Sequence, residues 1–319
     1  MSIDLLLENL SNPALLFFVL GILAVCVKSD LEIPPNSSKF ISMYLLFAIG
    51  FKGGHELRHQ DFTPEVMATI AFGLSTAVLI PVLTFFLLRK KMGVYNAGAI
   101  AAAYGSVSAV TFVTAVNYLE VHGLPMHGHM VAVMAMMESP AIIVGLLLIS
   151  IFTRGEKEKI SKRHAIRHSF TNGSVLLILG SLLIGFIAND SQADGIKPFT
   201  NDIFKGFLVI FLLDMGIVSG RNLKGFISRG FSPLVFAIIM PLVMGTIISY
   251  LTGGITSDPS DRFILAVLGA SASYIAVPAA MKIAVPRANP GIYLPMALAV
   301  TFPINITLGL PIYFALVGG

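Results

Sequence analysis

The sequence predicts an all-α membrane protein whose ten transmembrane helices form two inverted five-helix repeats, with discontinuous crossing helices 4 and 9. Three observations carry this prediction. Of the 319 residues, 55% are hydrophobic and only 12% are charged, about half the charged fraction of a typical soluble domain. The apolar residues fall into ten runs, each about long enough to cross a bilayer. Short motifs of the first half recur in the same order in the second half.

The ten apolar runs are the predicted spans, and a single long polar loop divides them into two groups of five. In chain order the spans are 12–28, 38–57, 64–88, 95–118, 127–153, 171–189, 199–219, 230–252, 261–284 and 290–317. The first repeat is therefore predicted over 1–153 and the second over 171–319. The N-terminal segment has no basic residue before the first run, unlike a signal peptide, so we expect span 1 to be retained.

The basic residues predict the orientation of the chain. The loops that follow odd-numbered spans hold 16 of the 21 lysines and arginines, and the opposite side holds 5. The positive-inside rule assigns the richer side to the cytoplasm, which leaves both termini outside. The central loop, 154–170, is then a cytoplasmic basic loop. We interpret it as a topology anchor, with a docking surface for a regulator as the alternative.

The two halves share three motif pairs at nearly constant offsets. GFKGGHEL pairs with GIVSGRNL, YGSVSAVTFVTAV pairs with LGASASYIAVPAA, and ESPAII pairs with TFPINI. Because each half has an odd number of spans, the second half must insert upside down relative to the first. Inverted repeats of this kind are typical of secondary transporters.

Spans 4 and 9 each contain a glycine followed by two serines at equivalent positions of the repeat. These residues are Gly105, Ser106 and Ser108, and Gly269, Ser271 and Ser273. A helix break at this depth is tolerated only where protein or a wet cavity surrounds it. It would offer free backbone N–H groups, which bind an anion without any basic side chain. The alternative is that these small residues serve only close helix packing.

Glu138 is an acid near the middle of span 5, and Pro140 follows it directly. The proline frees a backbone carbonyl close to the carboxylate, and oxygen ligands suit a hard cation. The matching motif of span 10 supplies neutral oxygens from Thr301 and Asn305. We therefore predict a Na⁺ site. Two alternatives are a protonated glutamate that hydrogen-bonds another helix and a residue that couples transport to protons.

Other polar residues receive more modest interpretations. We expect Asp214 to contact another helix or another subunit. His127 and His129 are spaced two apart, which on a helix points the rings apart, so we expect no metal site other than sodium. Three charged residues are predicted to form a solvated exterior turn, namely Lys52, Glu56 and Arg58.

Several function classes are disfavoured. The formal charge of +4 is spread over short loops, so we expect no nucleic-acid partner. The sequence shows no nucleotide-binding loop and no nucleophile with a base in reach, so we do not predict an enzyme. A cation/proton antiporter would normally carry acids at the crossing, where this chain has serines. A channel stays open as an alternative.

The motifs resemble those of the cyanobacterial-type sodium-dependent bicarbonate transporter family. The similarity is closest over 268–313, which contains SASYIAVPAAM and FPINITLG, and continues more loosely through the first-half motifs. The resemblance implies a core domain of spans 3–5 and 8–10 and a gate domain of spans 1, 2, 6 and 7. It also implies a homotrimer in the bacterial plasma membrane and a PII-like regulator on the cytoplasmic face.

The resemblance further implies a small-anion symporter that carries bicarbonate together with Na⁺ by alternating access. A sodium/organic-anion symporter of the bile-acid-transporter type is the alternative. Bicarbonate would lie between the broken helices at Gly105, Ser106, Ser108, Ala109, Gly269, Ser271, Ala272 and Ser273. Tyr274, beside Ser273, either lines this pocket or only packs against it, and both interpretations stay open. Sodium would lie at Glu138, Thr111, Thr301 and Asn305.

Overall fold

The computed structural model describes residues 12–59, 61–153, 173–227 and 231–318, and every regular element within these ranges is a helix. We number the helices in chain order. They are α1 Pro13–Cys26, α2 Pro35–Arg58, α3 Pro64–Met92, α4 Val94–Gly105, α5 Ala109–Val121, α6 Gly128–Phe152, α7 Gly173–Ile187, α8 Asp190–Lys197, α9 Phe204–Ile227, α10 Phe231–Leu251, α11 Pro259–Ala270, α12 Ala276–Ala284 and α13 Pro290–Val317.

Six helical stretches are long and apolar enough to cross a membrane, which makes the chain a multi-pass membrane protein. They are Pro64–Met92, Val94–Val121, Gly128–Phe152, Asp190–Leu223, Phe231–Gly254 and Pro290–Val317. Two shorter apolar helices cover Pro13–Cys26 and Leu176–Ile187. Each of the ten predicted apolar runs contains helix. The central loop, 154–170, lies outside the described residues, and with it the predictions of a topology anchor and a regulator-docking surface.

Helix starts follow from proline and from small polar caps. Pro13 and Pro64 stand at the first helical position, where the missing N–H costs nothing and the fixed φ suits the helix. The side chain of Asn12 accepts the N–H of Ala14 at 2.9 Å, and Thr63 caps α3 in the same way. These caps satisfy N–H groups that the first turn leaves unpaired.

Close backbone contacts hold α1 against α9 and α2 against α7. A methyl group at Gly21 would lie 2.2 Å from the carbonyl oxygen of Leu213, and one at Gly54 would lie 1.9 Å from that of Leu182. Only glycine fits at such distances, because any side chain would overlap backbone atoms of the facing helix. Small residues at helix contacts are the usual means of close packing in membranes.

The interior of the protein surrounds α4, α5 and α11. Residues 97–105 and 110–119 are all buried, as are residues 263–274. α3 and α6 pack against α4, and α10 packs against α11. Large apolar side chains on the outer faces of α1, α3, α7 and α10 are exposed, as expected of faces toward lipid. The helices that carry the serine motifs are therefore shielded from lipid by their neighbours.

Candidate anion and cation site at the interrupted helices

Both serine motifs interrupt a helix, as the sequence predicts. α4 ends at Gly105 and α5 begins at Ala109, with extended backbone at Ser106 and Ser108. In the second half, α11 ends at Ala270, and residues 271–275 are not helical. Each interruption leaves the C terminus of one half-helix and the N terminus of the next inside the protein.

The two interruptions are hydrogen-bonded to each other. The backbone N–H of Ser108 donates to Oγ of Ser271 at 3.0 Å. The N–H of Ser273 donates to the carbonyl of Ala103 at 2.8 Å. The Ser271 hydroxyl in turn donates to the carbonyl of Leu268 at 2.8 Å. The structure therefore joins the two halves of the chain at the positions where the sequence places the site.

Two hydroxyls at the first interruption are buried and have no hydrogen-bond partner among the described residues, Oγ of Ser106 and Oγ1 of Thr111. Ser108 is already engaged, because its Oγ accepts the N–H of Thr111 at 3.2 Å. Buried polar atoms in native proteins nearly always have a partner. These two hydroxyls can therefore contact a bound solute, an ion or water.

A small cavity beside the interruptions brings five of the predicted site residues together. Its polar or motif lining consists of Ser108, Ala109, Glu138, Ser273 and Tyr274. Glu138 is half-buried. Its carboxylate forms no hydrogen bond and no ion pair with the described residues. The carboxylate therefore faces the same space as two serines. An ionised acid there attracts a cation and repels an anion.

Thr301 and Asn305 lie on α13 and hydrogen-bond to residues near the ends of the half-helices α4 and α11. The Thr301 hydroxyl donates to the carbonyl of Ala237 at 2.8 Å and shares a hydrogen bond with the Tyr104 hydroxyl at 2.7 Å. Nδ2 of Asn305 donates to the carbonyl of Ala270 at 2.8 Å. No described hydrogen bond or cavity lining joins either residue to Glu138. Of the four predicted sodium ligands, Glu138 alone is among the described residues that line the small cavity.

Both residues belong to π-helical turns of α13, over Met296–Thr301 and Asn305–Gly309. Such turns leave backbone groups out of the regular helical pattern and occur often at functional sites. Pro303, between the two turns, removes a further backbone donor. The helix of span 10 is therefore irregular at the motif that corresponds, in the repeat, to the Glu138 motif of span 5.

The two motif glycines pack against neighbouring helices and are not among the described residues that line the small cavity. A methyl group at Gly105 would lie 2.0 Å from Cγ of Pro81, and one at Gly269 would lie 2.1 Å from Cδ1 of Ile248. Both positions allow the interrupted span to pack closely on a neighbouring helix, which is the alternative interpretation of these glycines. Ala272 is also buried and does not line the cavity.

A larger cavity of about 580 Å³ adjoins the small one, since Tyr274 and Ile275 line both. Its other polar lining residues are Ser38, Lys39, Ser42, Asp214 and Arg221. The Ser38 hydroxyl donates to the carboxylate of Asp214, so the prediction that Asp214 contacts another helix is confirmed. Lys39 and Arg221 lie on the side that the positive-inside rule assigns to the cytoplasm.

A third cavity, of about 280 Å³, has Lys52, Glu120 and Lys205 in its lining. Nζ of Lys52 lies 2.6 Å from Oε1 of Glu120, and Nζ of Lys205 lies 3.7 Å from Oε2 of the same residue. The prediction of a solvated turn at Lys52, Glu56 and Arg58 is wrong. α2 continues as helix to Arg58, and Lys52 pairs with Glu120 on α5, a partner far away in the sequence.

The histidine pair also differs from expectation. The rings of His127 and His129 are stacked with centroids 5.9 Å apart. Nδ1 of His127 lies 3.0 Å from Oδ1 of Asp261, and Nε2 of His129 lies 3.1 Å from Oδ2. Helical spacing does not apply, because His127 precedes α6 and has extended backbone. The hydrogen bond with Asp261 raises the pKa of His127, although partial burial acts in the opposite direction.

Sequence reasoning did not single out Tyr104, Glu120, Lys39 or Arg221. The hydroxyl of a tyrosine in a fully buried helix needs a partner, and that requirement was the available clue for Tyr104. Lys39 and Arg221 contribute only to the orientation count, and Glu120 carries no local signal. Their pairing and cavity lining depend on contacts between distant helices, which no local pattern encodes.

The protein has two interrupted helices that hydrogen-bond to each other beside a cavity lined by an acid and two serines. This arrangement is typical of solute transporters. The family model of the Na⁺-dependent bicarbonate transporter superfamily matches residues 13–318, nearly the whole chain. The chain therefore belongs to this superfamily. A comparison with curated proteins found no match.

Proposed function

We propose that the protein is a Na⁺-coupled symporter of bicarbonate that binds its anion between the two interrupted spans and works by alternating access. The observation that carries this proposal is the cavity that Glu138 shares with Ser108 and Ser273, at the point where the interruptions meet. Membership of the superfamily supplies the ion and the anion class. The proposed localisation is the plasma membrane, with both termini outside and a trimeric assembly.

Equivalent packing in the two halves supports the inverted repeat. The half-helices α4 and α11 are both 12 residues long and both lead into an interruption. Spans 1 and 7 pack through Gly21, and spans 2 and 6 pack through Gly54. An operation that exchanges span 1 with span 6 and span 2 with span 7 maps one of these contacts onto the other. We infer that the gate consists of these four spans.

The lining of the site favours a small monovalent anion. None of the described residues that line the small cavity is a lysine or an arginine, whereas phosphate groups are usually bound by such side chains. Serine hydroxyls both donate and accept, which suits bicarbonate because it has one O–H and acceptor oxygens. The N terminus of α12 has no side-chain cap, so its N–H groups stay available for an anion.

Sodium is the second transported ion, and we propose that it binds first at Glu138 and Thr111. The carboxylate supplies a negative charge, and Oγ1 of Thr111 is a buried oxygen without a partner in the described structure. Thr301 and Asn305 would join by exchanging their present hydrogen bonds during transport. Binding of Na⁺ would cancel the repulsion between Glu138 and the anion, so we expect each ion to raise the affinity for the other by about 5–150-fold.

Uptake of radiolabelled bicarbonate into proteoliposomes, driven by a gradient of NaCl or of choline chloride, tests the proposal. We expect uptake only with sodium, and we expect Glu138→Gln to lose the sodium dependence. Glu65→Gln is the matched control, because Glu65 is an exposed acid in the first turn of α3. Equal uptake in both salts would refute the coupling. A wild-type sodium response in Glu138→Gln would refute the role of that residue.

The same assay addresses the sodium/organic-anion alternative. The 580 Å³ cavity has mostly apolar side chains in its lining, and a cavity of this size suits an organic anion. Excess organic acids should leave bicarbonate uptake unchanged if bicarbonate is the substrate. Strong competition by such acids, together with slow bicarbonate uptake, would favour the alternative.

A further inference from the structure

His55, His59 and Asp190 bring three potential metal ligands together away from the proposed transport site. Nε2 of His55 lies 3.4 Å from Oδ1 of Asp190, and Nε2 of His59 lies 3.1 Å from the same oxygen. The two rings are four residues apart at the end of α2, with centroids separated by 5.2 Å. All three ligand atoms lie within 4.8 Å of one another.

These distances fit a tetrahedral metal ion. Zinc binds imidazole nitrogen at about 2.0–2.1 Å and carboxylate oxygen at about 2.0–2.2 Å, so neighbouring ligands lie roughly 3.3 Å apart. The separations of 3.1 and 3.4 Å in the structure are close to that value. An ion could therefore replace the histidine–carboxylate contacts with little movement of His55, His59 or Asp190.

The backbones that carry the ligands are fixed on both sides. Arg58 donates to the carbonyls of Ile187 and Ala188, both at 2.9 Å, which fastens the end of α2 to the end of α7. Asp190 begins α8, whose start is held by a reciprocal capping box between Asn189 and Gln192. The ligands consequently need little ordering before they bind an ion, which is what a designed site requires.

A close glycine contact adds to this rigidity. A methyl group at Gly185 would lie 2.1 Å from the carbonyl oxygen of Phe51 and 3.0 Å from the N–H nitrogen of His55. The helix that leads to Asp190 therefore touches the helix that carries both histidines, one turn before the ligands. The three side chains meet because the two backbones meet.

We propose that His55, His59 and Asp190 form a binding site for a divalent transition-metal ion of the Zn²⁺ class. Two imidazoles and one carboxylate are a ligand set that zinc and related ions prefer, whereas Ca²⁺ and Mg²⁺ prefer oxygen ligands throughout. Three protein ligands leave the fourth position to water. The site is independent of the transport proposal and departs from the sequence-based expectation of no metal other than sodium.

A second cluster, His127, Asp258 and Asp261, also has ligand atoms within 4.8 Å of one another. It is less suited to a transition metal because it offers one imidazole and two carboxylates. One of those carboxylates is already engaged, because Oδ1 of Asp258 caps α11 by accepting the Asp261 N–H. This cluster provides the matched control for the experiment.

Titration calorimetry with ZnCl₂ tests the proposal on the full chain in detergent, purified without a polyhistidine tag and stripped with a chelator. We expect wild type and His127→Gln to bind Zn²⁺ alike. His59→Ala should bind at least about 100-fold more weakly, since loss of even an outer-sphere partner costs about 10–100-fold. Asp190→Asn should also weaken binding without unfolding the chain, because the Asp190 side chain is 74% accessible.

Co²⁺ provides a readout that a structural role would not move. The wild type should show the visible absorption of tetrahedral Co²⁺, and His59→Ala should lose it while it remains monodisperse on size exclusion. Zn²⁺ affinity and Co²⁺ spectra that are the same in wild type, His59→Ala and Asp190→Asn would overturn the proposal. Loss of binding in His127→Gln alone would also overturn it and would assign the metal to the second cluster.

Discussion

The substitution Ser271→Ala tests the contact that joins the two interrupted spans. Oγ of Ser271 accepts the backbone N–H of Ser108 at 3.0 Å, and both residues are almost fully buried, at 1% and 3% exposure. Alanine removes the acceptor and leaves the Ser108 N–H unpaired. The carbonyl of Leu268 keeps a partner, since it also accepts the backbone N–H of residue 271 at 3.2 Å.

The expected cost is therefore that of one orphaned buried donor, about 1–3 kcal/mol. Because this hydrogen bond fixes the geometry of the anion site, we expect bicarbonate affinity to fall as well. A loss of about 1–3 kcal/mol corresponds to a decrease in affinity of about 5–150-fold. Ser75→Ala is the control. The Ser75 hydroxyl only donates to the carbonyl of Ala71 on an exposed helix face, and its loss leaves no buried donor.

The measurements are thermal unfolding in detergent, followed by circular dichroism at 222 nm, and bicarbonate uptake into proteoliposomes. We expect Ser271→Ala to unfold at a lower temperature and to take up bicarbonate with weaker affinity than Ser75→Ala. Equal behaviour of the two variants in both assays would refute the reasoning, because the inter-repeat hydrogen bond would then contribute nothing.

Two further predictions concern packing and pH. Gly185→Ala places a methyl group 2.1 Å from the carbonyl oxygen of Phe51 and should destabilise the protein by about 1–3 kcal/mol; unfolding temperature measures this. Gly180→Ala on the same helix meets nothing within 4 Å and should raise the temperature slightly. The pKa of His127 is raised by its hydrogen bond with Asp261, so its contribution is complete at low pH and is lost as pH rises through the folded-state pKa. The unfolding temperature of wild type should exceed that of His127→Gln by more at pH 6 than at pH 8.5.

Controls for these two predictions lie within the same measurements. If Gly185→Ala and Gly180→Ala unfold at the same temperature, the close contact between α2 and α7 does not contribute to the stability of the protein. If the difference between wild type and His127→Gln is independent of pH or grows toward pH 8.5, then the proton on His127 does not stabilise its contact with Asp261.

The helices can be predicted from the sequence because the membrane allows few backbone conformations in an apolar span. The apolar runs had to form helices, and glycine with two serines in the middle of a run marked each interruption. Gly105 and Gly269 show the limit of such reasoning. The sequence pattern suits either a bound solute or a tight helix contact, and the close contacts with Pro81 and Ile248 become visible only in the structure.

Pairings between helices that are distant in the sequence were not accessible. Glu120 was not recognised as a partner for Lys52, although the two charges lie 2.6 Å apart. The spacing of His55 and His59 by four residues places both rings on one helix face, but Asp190, the third proposed ligand, follows more than 130 residues later. Such residues contact each other only because the chain folds, and a local sequence pattern does not predict these contacts.

Glu138 connects the sodium and anion parts of the proposed mechanism. Two like charges about 4 Å apart repel by about 4 kcal/mol at the effective dielectric constant of a protein, so bicarbonate beside an ionised Glu138 would bind poorly. Sodium removes that repulsion, and a neutral glutamine removes it as well. Glu138→Gln should therefore still bind bicarbonate, with the same affinity in NaCl and in choline chloride. Complete loss of binding in this variant would show that Glu138 contacts the anion or holds the interruption in shape, and that sodium acts elsewhere.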